Sequence, residues 1–453
     1  MDKNIFDIQQ GVSISIYIKN PIKKIDNKIF HNHLWGTRKE YENTANGALL
    51  SGGKYYWLSQ NNITTTQWKT LNCNSPFYLF VPQDIDLRVE YELGWKITDI
   101  FPLNSTGIVT ARDHFAIQWN SKDMFTIVQD FVNIPVENAR DKYKLGEDKR
   151  DWKVNFAQAD IRRTDIDENK IVPILYRPFD VRYTYYTGKS RGFHCTPRGD
   201  VMRHMLVDNI ALLTSRMTKG EQFAHIQVTN LISEKILMSP KTSNNSFHFP
   251  LYLHPNPNNP KELEEPTRPN LSPEFLNTIT SKLGYTPTPE AIFYYIYAIF
   301  HSPTYRTRYA EFLKIDFPRV PLTSDDKLFR QLATYGEELV VLHLMKSHKL
   351  NNLITEFIEN TGNRLVDARY PQFINQNEVV INKKGDKFTG IPENIWNFYV
   401  GGYQVCQKWL KDRQGRQLSN EDIQHYQRIV VALKETIELM AQIDEAIPGF
   451  PIE

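Results

Sequence analysis

Apolar and polar positions alternate from the first residues of the chain. In "NIFDIQQGVSISIYIKN" (residues 4–20), Val12, Ile14, Ile16 and Ile18 alternate with Ser13, Ser15 and Tyr17. A period of two, rich in β-branched side chains, predicts a strand. So much apolar surface needs a sheet around it, and little chain precedes it to supply one. "KIFHNHLWGTRKEY" (residues 28–41) predicts a second short strand and a turn, and "NTANGALLSGGKY" a loop. From "PFYLFVPQD" to "DHFAIQW" short strands mix with one short helix. Residues 123–144 predict helix with one proline interruption.

Between residues 171 and 253 the period shortens again. "IVPILYRPF", "VRYTYYTG", "NIALLTSR", "FAHIQVTN" and "HFPLYL" predict short strands, interrupted by a helix at "TPRGDVMRHML". The proline-rich "HPNPNNPKELEEPTRPNLSP" (residues 254–273) predicts a linker. Helical signals follow it. Thr288 and Ser302 each precede a proline suited to the first helical position. The last helix opens at "LSNED", with Ser419 as cap and Asp422 three residues on. Its apolar positions Ile423, Tyr426, Val430, Leu433, Ile437 and Met440 step by three and four, the seam of a helical bundle.

Composition narrows the class. The 453 residues, 41% hydrophobic and 23% charged, suit a soluble globular protein of two to four domains. No apolar run is long enough to span a bilayer and the N-terminus is no signal peptide, so no membrane partner is expected. Cys73, Cys195 and Cys406 are far apart and form no CxxC pair. That argues against a zinc site or a disulfide framework and for a cytoplasmic location.

Motifs for catalysis are missing or incomplete. "SPFY" (Ser75 to Tyr78) lacks the second proline of an amino-methyltransferase loop and leads into an apolar stretch. No glycine-rich nucleotide or S-adenosylmethionine fingerprint, P-loop lysine motif or HExxH is found. His31 and His33 share one face of a predicted strand, a weak hint of metal binding. No metal site is assigned.

Charge is concentrated instead. Net charge is +2, yet residues 176–241 hold ten Lys/Arg against five Asp/Glu. Within them "YTYYTGKSRGFHCTPRGDVMRHM" interleaves aromatics with cations. Thr196 as N-cap and Pro197 as first helical residue would leave free backbone N–H groups beside Arg198 and Arg203, an arrangement suited to phosphate. Lys189, Arg191, Arg198, Arg203, Arg216 and Lys219 are the candidate DNA-binding residues. From charge alone two readings stay open, a nucleic-acid surface and a solvated basic face.

"ILYRPFDVRYTYYTGKSRGFHCTPRGDVMRHML", "FYYIYAIFHSPTYRTRYAEFLKIDFPRVPL" and "NFYVGGYQVCQKWLKDR" together resemble the C-terminal specificity region of Type ISP restriction-modification enzymes. The resemblance covers nearly the whole chain. It implies a mixed α/β (α+β) fold in three parts. Residues 1–60 would hold the terminal strands of a Rossmann-like, gamma-type adenine-N6 methyltransferase core, residues 61–260 a target-recognition region, and residues 261–453 a predominantly helical domain. It implies sequence-specific recognition of double-stranded DNA for a methyltransferase and endonuclease. The missing sheet of the first strand, the cofactor motif and the Pro-Pro catalytic loop would then belong to an upstream methyltransferase, helicase and nuclease polypeptide or domain. S-adenosylmethionine would be the cofactor of that complete enzyme, with none in this chain. Phe6 occupies the position of an aromatic that stacks on the flipped adenine. Its other reading is a sheet-edge core residue. Two further readings stay open for the whole chain: a protein-interaction subunit of a defence system, and an inactive fragment of a split gene.

Overall fold

A computed structural model describes all residues except 1, 7, 9–11, 20–27, 45–46, 74–77, 79, 83, 243, 257–264, 361 and 453. Ser75, Pro76 and Phe77 of the "SPFY" stretch therefore lie outside the described residues, as does much of the proline-rich segment. Two compact units result, Met1–Arg88 and Val89–Glu453. Among the described residues, no helix is long and apolar enough to cross a membrane.

In the first unit, an antiparallel hairpin joins Glu40–Thr44 to Gly47–Gly52, and Ile29–His31 pairs with Lys69–Leu71. The strand predicted at residues 12–18 does not form. Val12, Ile14, Ile16 and Ile18 are exposed, Ile18 at 89%, and none of the described residues there is in a strand. Alternation specifies which face a strand would bury, but a ladder needs a partner for its N–H and C=O groups. Upstream, Arg38 donates to the carbonyls of Asn4 and Phe6, each at 2.9 Å, and Lys54 Nζ to that of Lys3 at 2.6 Å. Those bonds hold the backbone at residues 3–6 and leave the Phe6 ring half-exposed.

The second unit contains the strands read from residues 171–253. Ile171–Arg177 and Asp180–Tyr185 form an antiparallel hairpin, with Ile232–Ser233 added in parallel. Ala211–Ser215 lies between Ile226–Thr229 and Ser246–Pro250, and Ser105–Thr106 completes that four-stranded sheet. The helix–proline–helix pattern becomes Ser121–Asn133 and Val136–Lys142. With the helix Val154–Arg163 they bury Met124, Val128, Phe131, Trp152 and Ile161 against Tyr185 and Phe193.

Local capping chemistry places the later helices. Thr288 accepts the Ala291 N–H for Pro289–His301, and Ser302 that of Tyr305 for Pro303–Arg308. Ser419 and Asp422 form a reciprocal capping box on Asn420–Ala446. That last helix buries Tyr426, Ile429, Val430, Leu433, Leu439 and Ile443, while Ile423, Ile437 and Met440 are half-buried. A stripe of period 3.5 drifts around a straight 3.6-residue helix, and several neighbouring helices cover this one. The helices Pro289–His301 and Asp326–His343 cross at Gly336, where a Cβ would stand 1.9 Å from the Tyr294 carbonyl oxygen. A four-stranded antiparallel sheet, which the sequence pattern had not suggested, lies among these helices at residues 356–389. The end of the proline-rich segment is structured: Arg268–Pro269 pairs with Tyr252–Leu253, and Ser272 caps Pro273–Leu283.

Candidate nucleic-acid interface

The hairpin of Ile171–Arg177 and Asp180–Tyr185 leads into the basic loop. Asp160, fully buried on the helix Val154–Arg163, fastens that loop at both ends. Its Oδ2 accepts Thr187 Oγ1 at 2.6 Å and the Phe193 N–H at 2.9 Å. A Cβ on Gly192 would lie 2.1 Å from the same oxygen, so only glycine fits there. Between the fastenings Lys189 and Arg191 are exposed; Arg191 has φ 55 and reaches Asp151 at 3.2 Å. Below them His194 is buried, with its Nε2 2.8 Å from Thr184 Oγ1. Burial pushes its pKa down to about 4.

The helix start expected at Thr196 is not found. Thr196 instead exchanges two backbone hydrogen bonds with Val109, at 2.9 and 3.1 Å. Helix begins only at Gly199 and lasts to Met202, behind Arg198 in the left-handed conformation (φ 56). The phosphate arrangement proposed for that N-terminus therefore fails, because one helical turn aligns few dipoles. Arg198 has a buried Nε without a partner among the described residues, and Arg203 donates to the His254 carbonyl at 2.7 Å. Arg216 pairs with Asp316 at 3.1 Å, and Lys219 is exposed. The six predicted cations thus occupy three segments: one fastened loop, one short turn, and the chain after Ala211–Ser215. His31 and His33 meet ring to ring at 4.2 Å, and the described residues contain no grouping of three metal-ligating side chains.

A second concentration of cations escaped the sequence reading. The Arg182 guanidinium lies between the rings of Trp119, at 3.7 Å, and Tyr176, at 4.3 Å. Arg413 stacks on Trp409 at 3.3 Å and Arg416 on Trp119 at 4.0 Å. The buried Asp180 locks two of these groups, accepting Arg182 Nη2 at 2.8 Å on Oδ2 and Arg413 Nη2 at 2.9 Å on Oδ1. Arg177 covers the Tyr176 ring at 3.8 Å and pairs with buried Glu234 at 2.8 Å. Burial pushes the Glu234 carboxyl up to about 7 against the opposing pull of Arg177. Two clefts share Tyr176 and Arg182: one of about 560 Å³ along Arg112, Asp113, Gln118 and Trp119, one of about 220 Å³ along Arg177, Pro240, Lys408 and Asp412. Arg177 and Arg182 belong to the basic segment already visible in sequence. Trp119, Arg413 and Arg416 are distant in the chain and join them only through the fold.

A family model described as the Type ISP C-terminal specificity domain matches residues 99–442. Among solved structures, the chain is similar to that of a DrdV–DNA complex determined by cryo-EM, with 18% identity and a TM-score of 0.62 over 87% of this chain and 42% of that one. It is similar to a nuclease-deletion mutant of the Type ISP restriction-modification enzyme LlaGI in complex with a DNA substrate mimic, with 19% identity and a TM-score of 0.62 over 86% of this chain and 37% of that one. The ATP-dependent Type ISP enzyme LlaBIII bound to DNA gives 17% identity and a TM-score of 0.62, covering 85% and 26%. The chain spans less than half the length of these solved chains, and at such identities the likeness is one of fold. No curated protein matches the chain.

Proposed function

Because this chain belongs to the Type ISP C-terminal specificity domain family, we propose that it recognises a specific sequence in duplex DNA on behalf of a restriction-modification enzyme. The family match over residues 99–442 is the observation that carries this reading. The three similar solved chains, each in a complex with DNA or a DNA mimic, support it. The fastened loop is the part best suited to base reading. Fixing Thr187 and Phe193 to one buried carboxylate limits the motion of the residues between them. Arg191 and Lys189 then present donors that match the acceptor edge of guanine in a major groove. Arg198, Arg203, Arg216 and Lys219 are assigned to phosphates, which fix register without reading sequence.

The complete enzyme would methylate adenine N6 and cleave DNA through an upstream methyltransferase, helicase and nuclease part, in the cytoplasm. The division at residues 60 and 260 and the stacking of Phe6 on an extruded adenine belong to the same proposal. Its half-exposed ring is free to meet a base. The clefts lined by Arg112, Arg177, Arg182 and Lys408 do not fit the cationic sulfonium of S-adenosylmethionine, so no step through that cofactor is derived for this chain.

Alanine substitution of the six cations, one at a time, tests the reading. Binding is measured on a selected duplex and on a random duplex across a salt series. A base-reading residue costs about 1–3 kcal/mol on the selected duplex only. A phosphate-holding residue weakens both equally and lowers the salt slope by about one. Six variants indistinguishable from wild type in affinity and slope would remove the basic segment from the interface.

A further inference from the structure

The cations around Trp119 and Tyr176 differ from the fastened loop in how they are neutralised. Asp180 and Glu234 are buried and committed to Arg182, Arg413 and Arg177. Arg416 is exposed, stands over the Trp119 ring at 4.0 Å, and forms no ion pair among the described residues. Lys411 and Lys241 are exposed too and make no ion pair among the described residues. Lys408, on the wall of the smaller cleft, is 3.9 Å from Asp412, whose Oδ2 already accepts the Tyr403 hydroxyl at 3.0 Å.

The crowding of like charge has a measurable signature. Burial holds the Lys408 ammonium below its ordinary pKa against the pull of Asp412, and Lys411, Lys241 and Arg177 push it further down. Arg416, though its outer side is exposed, is lowered by its partial burial beside the cleft, with Arg413 and Arg182 adding to it against Asp422 and Asp123. Like charges gathered beside a cleft raise each other's energy until an anion enters between them. Asp180 holds the Arg182 and Arg413 guanidiniums and the Trp119 ring backs that of Arg416, so less rotamer entropy remains to be lost at these arginines on binding. Lys408 and Lys411, three apart on the helix Val405–Lys411, lie on one face of it.

We propose that Arg416, Lys411 and Lys408, beside the clefts at Trp119 and Tyr176, hold phosphodiester groups of the duplex, so that the C-terminal part carries a DNA contact of its own. This rests on the DNA-recognition reading and assigns that function a second surface, one that positions the duplex and reads no base. Cations stand on both sides of Arg182, at Trp119 and at Tyr176, which suits neighbouring phosphates of one strand better than a single free anion. The outer groups remain exposed, as a backbone arriving from solvent requires.

The test uses the whole chain and two variants at exposed positions, Arg416→Gln and Lys411→Gln, with circular dichroism melts to show that both fold as wild type does. Affinity for a selected and a random duplex is measured across a salt series. Each variant is expected to bind both duplexes about 3- to 10-fold more weakly, with an unchanged ratio between them and a salt slope lower by about one. Inorganic phosphate, titrated calorimetrically into wild type, is the second arm. Saturable phosphate binding lost in Arg416→Gln, with duplex affinity unaltered, would mean a free-anion site and overturn the proposal. Unaltered affinity and slope in both variants, while Lys189→Ala or Arg191→Ala weakens binding, would overturn it and leave the DNA reading standing. Failure of wild type to bind any duplex at low salt would overturn both.

Discussion

Asp180→Ala is the most informative single perturbation of the fold around the clefts. Asp180 opens the strand Asp180–Tyr185, and its side chain is inaccessible to solvent. One oxygen accepts Arg182 Nε and Nη2 at 3.1 and 2.8 Å; the other accepts Arg413 Nη2 at 2.9 Å. The Arg413 side chain is 6% exposed, so alanine would leave a guanidinium in the interior with the Trp409 carbonyl at 3.1 Å and Asp422 at 3.4 Å to answer it. Removing one partner of a buried pair costs about 3–5 kcal/mol. Asp180→Asn keeps the volume and one acceptor, and about half of that loss is expected. Removing both charges should restore part of it. Asp180→Ala with Arg413→Met retains apolar packing on Trp409 and is expected to recover about 1–3 kcal/mol. Urea denaturation followed by tryptophan fluorescence is the assay, since Trp119 and Trp409 stand against the affected arginines. An Asp180→Ala stability within about 1 kcal/mol of wild type, or a double variant less stable than the single, would mean that Asp180 does not hold the buried Arg413 charge.

Other consequences can be checked on the same material. Gly336→Ala places a Cβ 1.9 Å from the Tyr294 carbonyl, and thermal melting should show a loss of about 3 kcal/mol or more; wild-type melting would mean the helices part easily. Asp160→Asn should speed amide exchange at residues 187–193 and reduce discrimination between duplexes more than overall affinity. Unchanged exchange at Phe193 would free the loop from Asp160. His194, His248 and His343 are held neutral, with pKa values near 4, 3 and 3, by burial. Their unfolded forms take up protons first, so stability is full above about pH 6.5 and falls as pH drops toward 4. Glu234, raised to about 7, acts with the opposite sign, adding stability at acid pH that is lost as pH rises through 7. The histidines outnumber it, and the urea midpoint should fall between pH 7 and pH 5; a midpoint that rises on acidification would contradict the assignment.

Features written in a few neighbouring residues were legible in the sequence. Thr288, Ser302 and Ser419 each carry their cap within three positions, and all three cap as read. The hairpin strands at residues 171–185 and the strand at 211–215 declare themselves through β-branched and aromatic runs closed by turns. Residues 12–18 show the limit of that logic, since alternation names a face without providing the strand that covers it. Thr196-Pro197 shows another: Pro197 suits a first helical position, but the Thr196 backbone is recruited by Val109, far away in sequence. The basic segment and two arginines of the stacked cluster, Arg177 and Arg182, are visible as local charge. The pairing of Arg191 with Asp151 and of Arg216 with Asp316, both at exposed arginines, and the meeting of Trp119 with Arg416 join residues far apart in the chain. Those pairings exist only after folding.

Sequence-specific binding of duplex DNA is tested by selection from a duplex pool with a randomised core. The recovered duplex is then compared with a scrambled one at several salt concentrations, using the whole chain alone. A single enriched sequence is expected, bound at least about 10³-fold more tightly than the scrambled duplex, with affinity for both falling steeply as salt rises. Equal affinity for every duplex, or binding that salt leaves unchanged, would contradict it.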